Sequence, residues 1–200
     1  GSITVKKGVT GVTLVLNGLT LTNADSAAIT LNKTAEAALI AAAGSENTVA
    51  DTAGANDENA AVKVKSGASL LLSGTGTLTA CGNTKNGIKG ASDAVITVDE
   101  LTLNIEAADD GLSCDELTIK GGRVNITAGG DAVKASPDTD DAENPDTTSL
   151  GNVTVSGGTM TLTAANDGVQ ADGDLTISGG TFAVTANGGH TTALIDDSAS

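Results

Sequence analysis

The sequence has almost no aromatic side chains. Its 200 residues contain no Trp, no Tyr and a single Phe, Phe182. Without aromatic rings there is no platform on which sugar rings or nucleic-acid bases could stack. We therefore expect an aliphatic core, and any sugar binding must rely on polar groups or on a metal ion.

Basic residues are also scarce, with 10 Lys and Arg against 25 Asp and Glu and a formal net charge of -15. A strongly negative protein repels nucleic acid and anionic membranes and attracts divalent cations. No apolar run approaches the roughly 20 residues that a membrane-spanning helix needs. The sequence therefore predicts neither a nucleic-acid partner nor insertion into a membrane.

The side chains that most often build catalytic or metal centres are rare. His190 is the one histidine, so Ser-His-Asp chemistry and multi-histidine metal sites have little material. The two cysteines, Cys81 and Cys114, do not define a disulfide framework. We expect packed thiols, because Cys114 takes a position that Ala135 and Ala171 fill in matching segments. A bridge between the two cysteines is the alternative.

Glycine, by contrast, is abundant, and many glycines belong to an internal repeat. Three segments align without gaps: 117–128 (LTIKGGRVNITA), 153–164 (VTVSGGTMTLTA) and 175–186 (LTISGGTFAVTA). Apolar residues alternate on both sides of the Gly-Gly pair, which is the period of a strand with one buried face. The glycines are expected to form a corner where a Cβ would be unfavourable. Each segment therefore indicates two strands that meet at a corner.

Less regular copies of the repeat begin near Val12, Leu70 and Ile96. Most copies recur at about 21 to 26 residues, the length of one solenoid turn. Stacked copies place like residues in columns, with parallel strands about 4.8 Å apart. The sequence predicts an all-β parallel β-helix, a solenoid of about seven to eight turns with three short strands per turn.

We expect one β-helix domain over 3–200, preceded by a tag remnant at 1–2. Residues 35–43 (AEAALIAAA) have a helix-forming composition, but their place in the repeat favours a strand. Residues 136–151 (SPDTDDAENPDTTSLG) contain two prolines, many acids and almost nothing apolar. They are expected to form an acidic loop insertion at the edge of the solenoid.

The third strand of each turn begins with an acid or an amide, as in 86–89 (NGIK), 110–113 (DGLS), 131–134 (DAVK) and 167–170 (DGVQ). If these segments stack, carboxylates of successive turns come within about 5 Å of each other. Such crowding favours a hard cation such as calcium, which takes about 6 to 8 oxygen ligands. The candidate calcium ligands share or flank this position: Asn86, Asp109, Asp110, Asp115, Asp131, Asn166, Asp167 and Asp172. The alternative is that the Asp-Gly and Asn-Gly pairs are ordinary turn residues.

Three lysines are candidate ligand-binding residues. Lys63, Lys89 and Lys134 each lie one residue beyond the apolar member of this strand, so they are expected to point outward. Lysine beside bound calcium could bind an anionic polymer. The alternative is that these lysines only balance acids on a solvated face.

Several segments together resemble a known family. They are 11–31 (GVTLVLNGLTLTNADSAAITL), 86–90 (NGIKG), 108–122 (ADDGLSCDELTIKGG), 129–135 (GGDAVKA) and 166–181 (NDGVQADGDLTISGGT). They resemble the bacterial carbohydrate-binding β-helix family first described in cellulolytic clostridia. The resemblance implies a secreted, right-handed parallel β-helix, similar in shape to pectate lyases, that holds calcium and binds polygalacturonate and cellulose.

The resemblance also assigns roles to individual positions. The family's motif acids fall on Asp110, Asp131 and Asp167, and its motif lysine falls on Lys89 and Lys134. The chain departs from the motif at three positions, Asn86, Ser113 and Gln170.

Taken together, these features predict an extracellular, non-catalytic, calcium-binding module for acidic polysaccharide and cellulose, within a longer surface or secreted protein. A calcium-dependent polysaccharide lyase is one alternative. It needs a base beside the metal, and only Lys89 and Lys134 are placed for that role. A structural stalk or adhesin segment is the other alternative.

Overall fold

The computed structural model describes residues 1–54, 56–137, 151–187 and 194–196. The described chain is a parallel β-helix built from three parallel sheets of eight, seven and seven strands, which we call sheets A, B and C. Each turn adds one strand to each sheet in the order A, B, C, and no helix occurs among the described residues. The predicted right-handed parallel β-helix with three strands per turn is confirmed.

The strands are short in all three sheets. Sheet A contains β1 (Ile3–Val5), β4 (Ile29–Leu31), β7 (Ala60–Val64), β10 (Asn86–Gly90), β13 (Leu112–Cys114), β16 (Val133–Ala135), β19 (Val169–Ala171) and β22 (Leu194–Asp196). Sheet B contains β2 (Val12–Leu16), β5 (Glu36–Ala41), β8 (Ser69–Gly74), β11 (Val95–Val98), β14 (Glu116–Ile119), β17 (Asn152–Val155) and β20 (Leu175–Ile177). Sheet C contains β3 (Thr20–Asn23), β6 (Glu46–Asp51), β9 (Thr77–Gly82), β12 (Thr102–Ala107), β15 (Arg123–Ala128), β18 (Thr159–Ala164) and β21 (Thr181–Ala186).

The core consists of aliphatic columns that run along the solenoid. In sheet C, Leu103 pairs with Leu78 on one side and with Val124 on the other, and all three side chains are buried. In sheet B, Ile96 pairs in the same way with Leu70 and Leu117. Each buried side chain therefore packs against the turns above and below, so a single turn could not form a core alone.

The Gly-Gly corners have the predicted conformation. The second glycine of each pair has a positive φ, with values of 82° at Gly122, 93° at Gly158 and 103° at Gly180. A Cβ on Gly158 would also lie 3.0 Å from backbone atoms of the preceding turn. Glycine is therefore required here both by the backbone angle and by the close approach of turns.

The alanine-rich segment forms strand β5, and the helical alternative is wrong. Its backbone pairs in parallel with β2 and β8, and Ala37, Leu39 and Ala41 point into the core. Pairing on both sides outweighs the helix propensity of alanine, because propensity differences are small compared with burial.

The predicted loop insertion lies between β16 and β17, and its residues 138–150 are outside the described residues. Within the described part of the chain, no helix is long and apolar enough to cross a membrane.

Both cysteines are free, as predicted. Cys114 pairs with Ala135 in sheet A, which in turn pairs with Ala171. Complete burial raises the pKa of the Cys114 thiol to about 12. The thiol therefore acts as a small core side chain and not as a nucleophile.

Candidate functional site

The acidic residues predicted to stack at the start of the sheet A strands do form a column. The Oδ1 atom of Asn86 accepts the backbone N–H of Asp110 at 3.2 Å. Oδ1 of Asp110 accepts the N–H of Asp131 at 3.0 Å, and Oδ1 of Asp131 accepts the N–H of Asp167 at 3.0 Å. One side-chain oxygen on each of three turns therefore binds the next turn. We call Asn86, Asp110, Asp131 and Asp167 the acid column.

The acid column is largely withdrawn from solvent. Asn86, Asp131 and Asp167 expose only 2%, 3% and 8% of their surface. The local sequence permits this close stacking, because the residue after Asp110 is Gly111, where a Cβ would lie 2.6 Å from the carbonyl oxygen of Ala132. Partial burial of several carboxylates in one row is unfavourable unless nearby positive charge compensates them.

Asp110 shows the cost of this crowding. Burial raises the pKa of its carboxyl, and the negative charges of Asp109 and Asp131 raise it further. The hydrogen bond from the N–H of Asp131 and the positive charge of Lys134 lower the pKa, but they do not outweigh burial. Since the folded pKa lies above the unfolded one, the contribution of Asp110 to stability is lost as pH rises from the unfolded value, about 3.9, through the folded value. The folded protein therefore favours the ionised form of Asp110 less than the unfolded chain does.

Lys134 supplies one positive charge to the acid column. Its Nζ donates a hydrogen bond of 3.0 Å to Oδ2 of Asp131, and its side chain is 31% exposed. Burial acts to lower the pKa of Lys134, but the hydrogen bond to Asp131 and the charges of Asp110, Asp131 and Asp172 outweigh it, so the pKa is raised. The acids around Lys134 therefore favour its charged ammonium form.

Two further predicted ligands, Asp109 and Asn166, lie in the neighbouring column, with Gly130 on the turn between them. A Cβ on Gly130 would lie 2.6 Å from Oδ1 of Asp110 and 2.7 Å from Oδ1 of Asp109. Glycine thus permits these two carboxylate oxygens to approach the backbone closely. Asp109 also pairs with Lys85 at 3.4 Å, and both side chains are substantially exposed.

The structure separates Asp115 and Asp172 from the acid column. Asp115 is buried and accepts the backbone N–H of Asp93 at 2.7 Å, whereas Asp172 is exposed and accepts a hydrogen bond from Gln170. Both residues follow the sheet A strand, five residues beyond the acid of their turn. At about 3.3 Å per residue, that distance is too long for one ion to be ligated by both groups.

Among the described residues, no group of three or more His, Cys, Asp or Glu side chains converges in a way that could hold a metal ion. The acid column shows why its carboxylates do not converge, since Oδ1 of Asp110 and of Asp131 is turned toward the next turn's N–H.

The carboxylate oxygens are of the type that binds a hard cation, but three of those on Asp110 and Asp131 already have partners. Oδ2 of Asp131 already binds the ammonium of Lys134, and the Oδ1 atoms of Asp109 and Asp110 lie close to the backbone of Gly130. Carboxylate oxygens are the ligands that calcium prefers. Calcium binding by Asp109, Asp110 and Asp131 therefore stays a prediction.

The three candidate lysines point outward from sheet A, as predicted. Lys63 and Lys89 pair on adjacent turns, Ser113 takes the next position, and Lys134 follows. All three lysine residues are partly exposed. We call Lys63, Lys89, Ser113 and Lys134 the lysine column. It lies three residues along the chain from the start of the acid column, on the same sheet.

Asp51 was not singled out by the sequence analysis. It is 1% exposed, and its carboxylate accepts hydrogen bonds from the backbone N–H groups of Asn83 and Thr84 and from the amide of Asn56, at 2.6 to 3.2 Å. Asp51 thus links the end of β6, by hydrogen bonds, to the corner that follows β9 on the next turn. The sequence analysis had no signal for it, since the pairing of Asp51 with Asn23 at the same strand end is seen only in the structure.

Comparison with known proteins places the chain in a family. A solved structure of a polysaccharide lyase-like protein from C. thermocellum, a gadolinium derivative, has a TM-score of 0.72 and 26% sequence identity, over 97% of this chain and 82% of that chain. No curated protein matches the sequence significantly. The family model for carbohydrate-binding domain-containing proteins matches residues 1–200. The chain therefore belongs to this carbohydrate-binding family.

Proposed function

We propose that this protein is a non-catalytic module that binds acidic polysaccharide with the help of calcium, outside the cell and as part of a longer secreted or surface protein. The observation that carries the proposal is the lysine column on the outer face of sheet A, together with the acid column at the start of the same strands. One column offers positive charge to a polymer, and the other offers oxygens to a metal ion.

The lysine column suits a polymer with a repeating negative charge. Lys63 and Lys89 lie on adjacent turns, which are about 4.8 Å apart in a parallel sheet. A polyuronate such as polygalacturonate carries one carboxylate on every sugar. A chain lying along the solenoid axis can therefore place successive carboxylates near successive lysines, without the aromatic stacking that this sequence lacks.

Calcium is supported by the electrostatics of the acid column. Three carboxylates, on Asp110, Asp131 and Asp167, share one row. In the ion pairs described above, Lys134 is the lysine that binds a carboxylate of the acid column directly.

The test of the lysine column is a Lys63→Met and Lys89→Met double variant. Each lysine near an anionic surface contributes about 1 kcal/mol, so the double variant is expected to bind polygalacturonate at least about tenfold more weakly. Affinity electrophoresis in gels containing polygalacturonate measures this loss. Lys120→Met is the matched control, because Lys120 is exposed at the end of β14 in sheet B. Equal losses in the control and the double variant would show that only net charge matters.

A polysaccharide lyase is the second candidate, and the name of the C. thermocellum neighbour favours it. Lys89 and Lys134 are the bases that could remove the proton from sugar C5. Incubation with polygalacturonate and calcium, followed by ultraviolet absorbance of unsaturated products, separates the two functions. We expect binding without turnover. Sustained product formation that Lys89→Met or Lys134→Met abolishes would establish the lyase instead.

A further inference from the structure

Positive charge in this acidic protein is concentrated in one stretch of the chain. Residues 59–92 contain four lysines, Lys63, Lys65, Lys85 and Lys89, and no Asp or Glu, although the whole chain has a formal net charge of -15. Lys63 lies in β7, Lys65 directly follows β7, and Lys89 lies in β10. An anionic ligand is therefore attracted to these two turns of sheet A more than to the acidic turns that follow.

Lys65 continues the outward row that Lys63 begins. Val64 and Ser66, on either side of Lys65, are buried, whereas Lys65 is partly exposed. The backbone N–H of Lys65 donates to the carbonyl oxygen of Leu31 on the preceding turn at 2.9 Å, so parallel pairing extends as far as Lys65. Side chains two residues apart point to the same side, about 6.6 Å apart along the strand. Lys63 and Lys65 therefore project from one face.

A carboxylate already lies against Lys65. Oε1 of Glu58 is 2.6 Å from Nζ of Lys65, and the two side chains expose 20% and 31% of their surface. Glu58 precedes β7 and Lys65 follows it, so the ion pair bridges the two ends of that strand. The carboxylate of Glu58 is the same chemical group that a uronic acid carries. Lys65 can therefore bind a carboxylate at the surface, and Glu58 competes with an anionic ligand there.

Little opposes the replacement of Glu58 by a ligand carboxylate. The positions of β7 and β10 that correspond to the acid column carry Ala60 and Asn86, which pair with each other and have no charge. A partly exposed ion pair is weak, and its loss changes an equilibrium constant by at most about fivefold. A ligand that brings its own carboxylate can therefore displace Glu58 at modest cost.

We propose that Lys65 is a third cation of the acidic-polysaccharide site, and that Glu58 is an internal competitor that a ligand carboxylate displaces. This inference rests on the proposed function, and it places the polymer on the turns of Lys63 and Lys89. Glu58 then contributes to specificity. A neutral glycan has no carboxylate to offer Lys65 in exchange, so the ion pair disfavours it relative to a polyuronate.

The experiment is affinity electrophoresis of the whole chain in gels containing polygalacturonate. Lys65→Met should bind about fivefold more weakly than the wild type, the usual contribution of one lysine near an anionic surface. Glu58→Gln should bind about two- to fivefold more tightly, because it removes the competing charge and keeps the size of the side chain. Lys120→Met and Glu36→Gln are the matched controls, since each makes the same change of net charge at an exposed position in or next to sheet B. Both controls should change binding little.

A double variant tests whether Lys65 and Glu58 act at one place. If Glu58 acts by occupying Lys65, Glu58→Gln should add little affinity in a protein that already carries Lys65→Met, because residues in contact are not additive. Gains and losses that add in full would contradict the competitor role. Circular dichroism melts verify that each variant folds, and the loss of an exposed ion pair is expected to change stability little.

The outcomes separate this inference from the proposed function. If the wild type binds polygalacturonate and both Lys65→Met and Glu58→Gln behave like their controls, the role of Lys65 is wrong and the proposed function stands. If Glu58→Gln binds the polymer and the wild type does not, the Lys65 site is supported and polymer binding by the natural protein is wrong. If no protein binds the polymer, both proposals are wrong.

Discussion

Replacement of Leu103 by alanine is expected to lower the free energy of unfolding by about 2 to 5 kcal/mol, the usual cost of emptying a buried leucine site. Leu103 is fully buried in the middle of the sheet C column, between Leu78 and Val124. The neighbouring turns are fixed by backbone hydrogen bonds on both sides, so they cannot collapse into the cavity. Urea unfolding followed by circular dichroism measures the change.

Val15→Ala is the comparison for Leu103→Ala. Val15 is an outward residue of β2 and is 65% exposed. Its loss should change stability little, because surface substitutions away from special contacts are nearly neutral. If Leu103→Ala lost less than about 1 kcal/mol, the continuous column would not be the source of stability that we describe.

Replacement of Asp131 by alanine is expected to have the second large effect. The carboxylate of Asp131 accepts the N–H of Asp167 with one oxygen and the ammonium of Lys134 with the other. Loss of a buried acceptor typically costs about 1 to 3 kcal/mol. Asp131→Ala should therefore lower the melting temperature in the absence of calcium, and calcium should restore little of the loss.

Two variants separate the roles of the Asp131 carboxylate. Asp131→Asn keeps an Oδ1 acceptor, a role that Asn86 already performs for Asp110, so it should cost less stability than alanine but still reduce the gain from calcium. Glu36→Ala removes an exposed acid of β5 in sheet B, away from the acid column, and should change neither quantity. An Asp131→Asn protein that responds to calcium like the wild type would exclude Asp131 as a ligand.

Much of the fold could be predicted from the sequence, because each turn of a solenoid repeats a similar residue pattern. The alternation around each Gly-Gly pair placed the strands, and the offset between copies placed Leu70, Ile96 and Leu117 over one another, as their pairing confirms. The segment 35–43 was ambiguous by composition. The segment forms a strand because its backbone pairs with β2 and β8. Local propensity does not include such long-range pairing.

The candidate site was less predictable, because it depends on side-chain direction. The repeat predicted that Asp110, Asp131 and Asp167 share a column, and the structure confirms it. It could not show that one oxygen of a carboxylate is used by the next turn, or that Lys134 bends back to Asp131. Asp115 was grouped with the acid column by nearness in sequence, although an extended strand carries it to the opposite end.

Binding of polygalacturonate with calcium and with a chelator is the most direct test of calcium-dependent recognition. Calorimetric titration of the polymer into the intact protein should show binding in calcium that weakens at least about tenfold when EDTA removes the ion, within the usual range of coupling between sites. Equal affinity in calcium and in EDTA would contradict the role of the metal. No binding under either condition would contradict the assignment of the ligand.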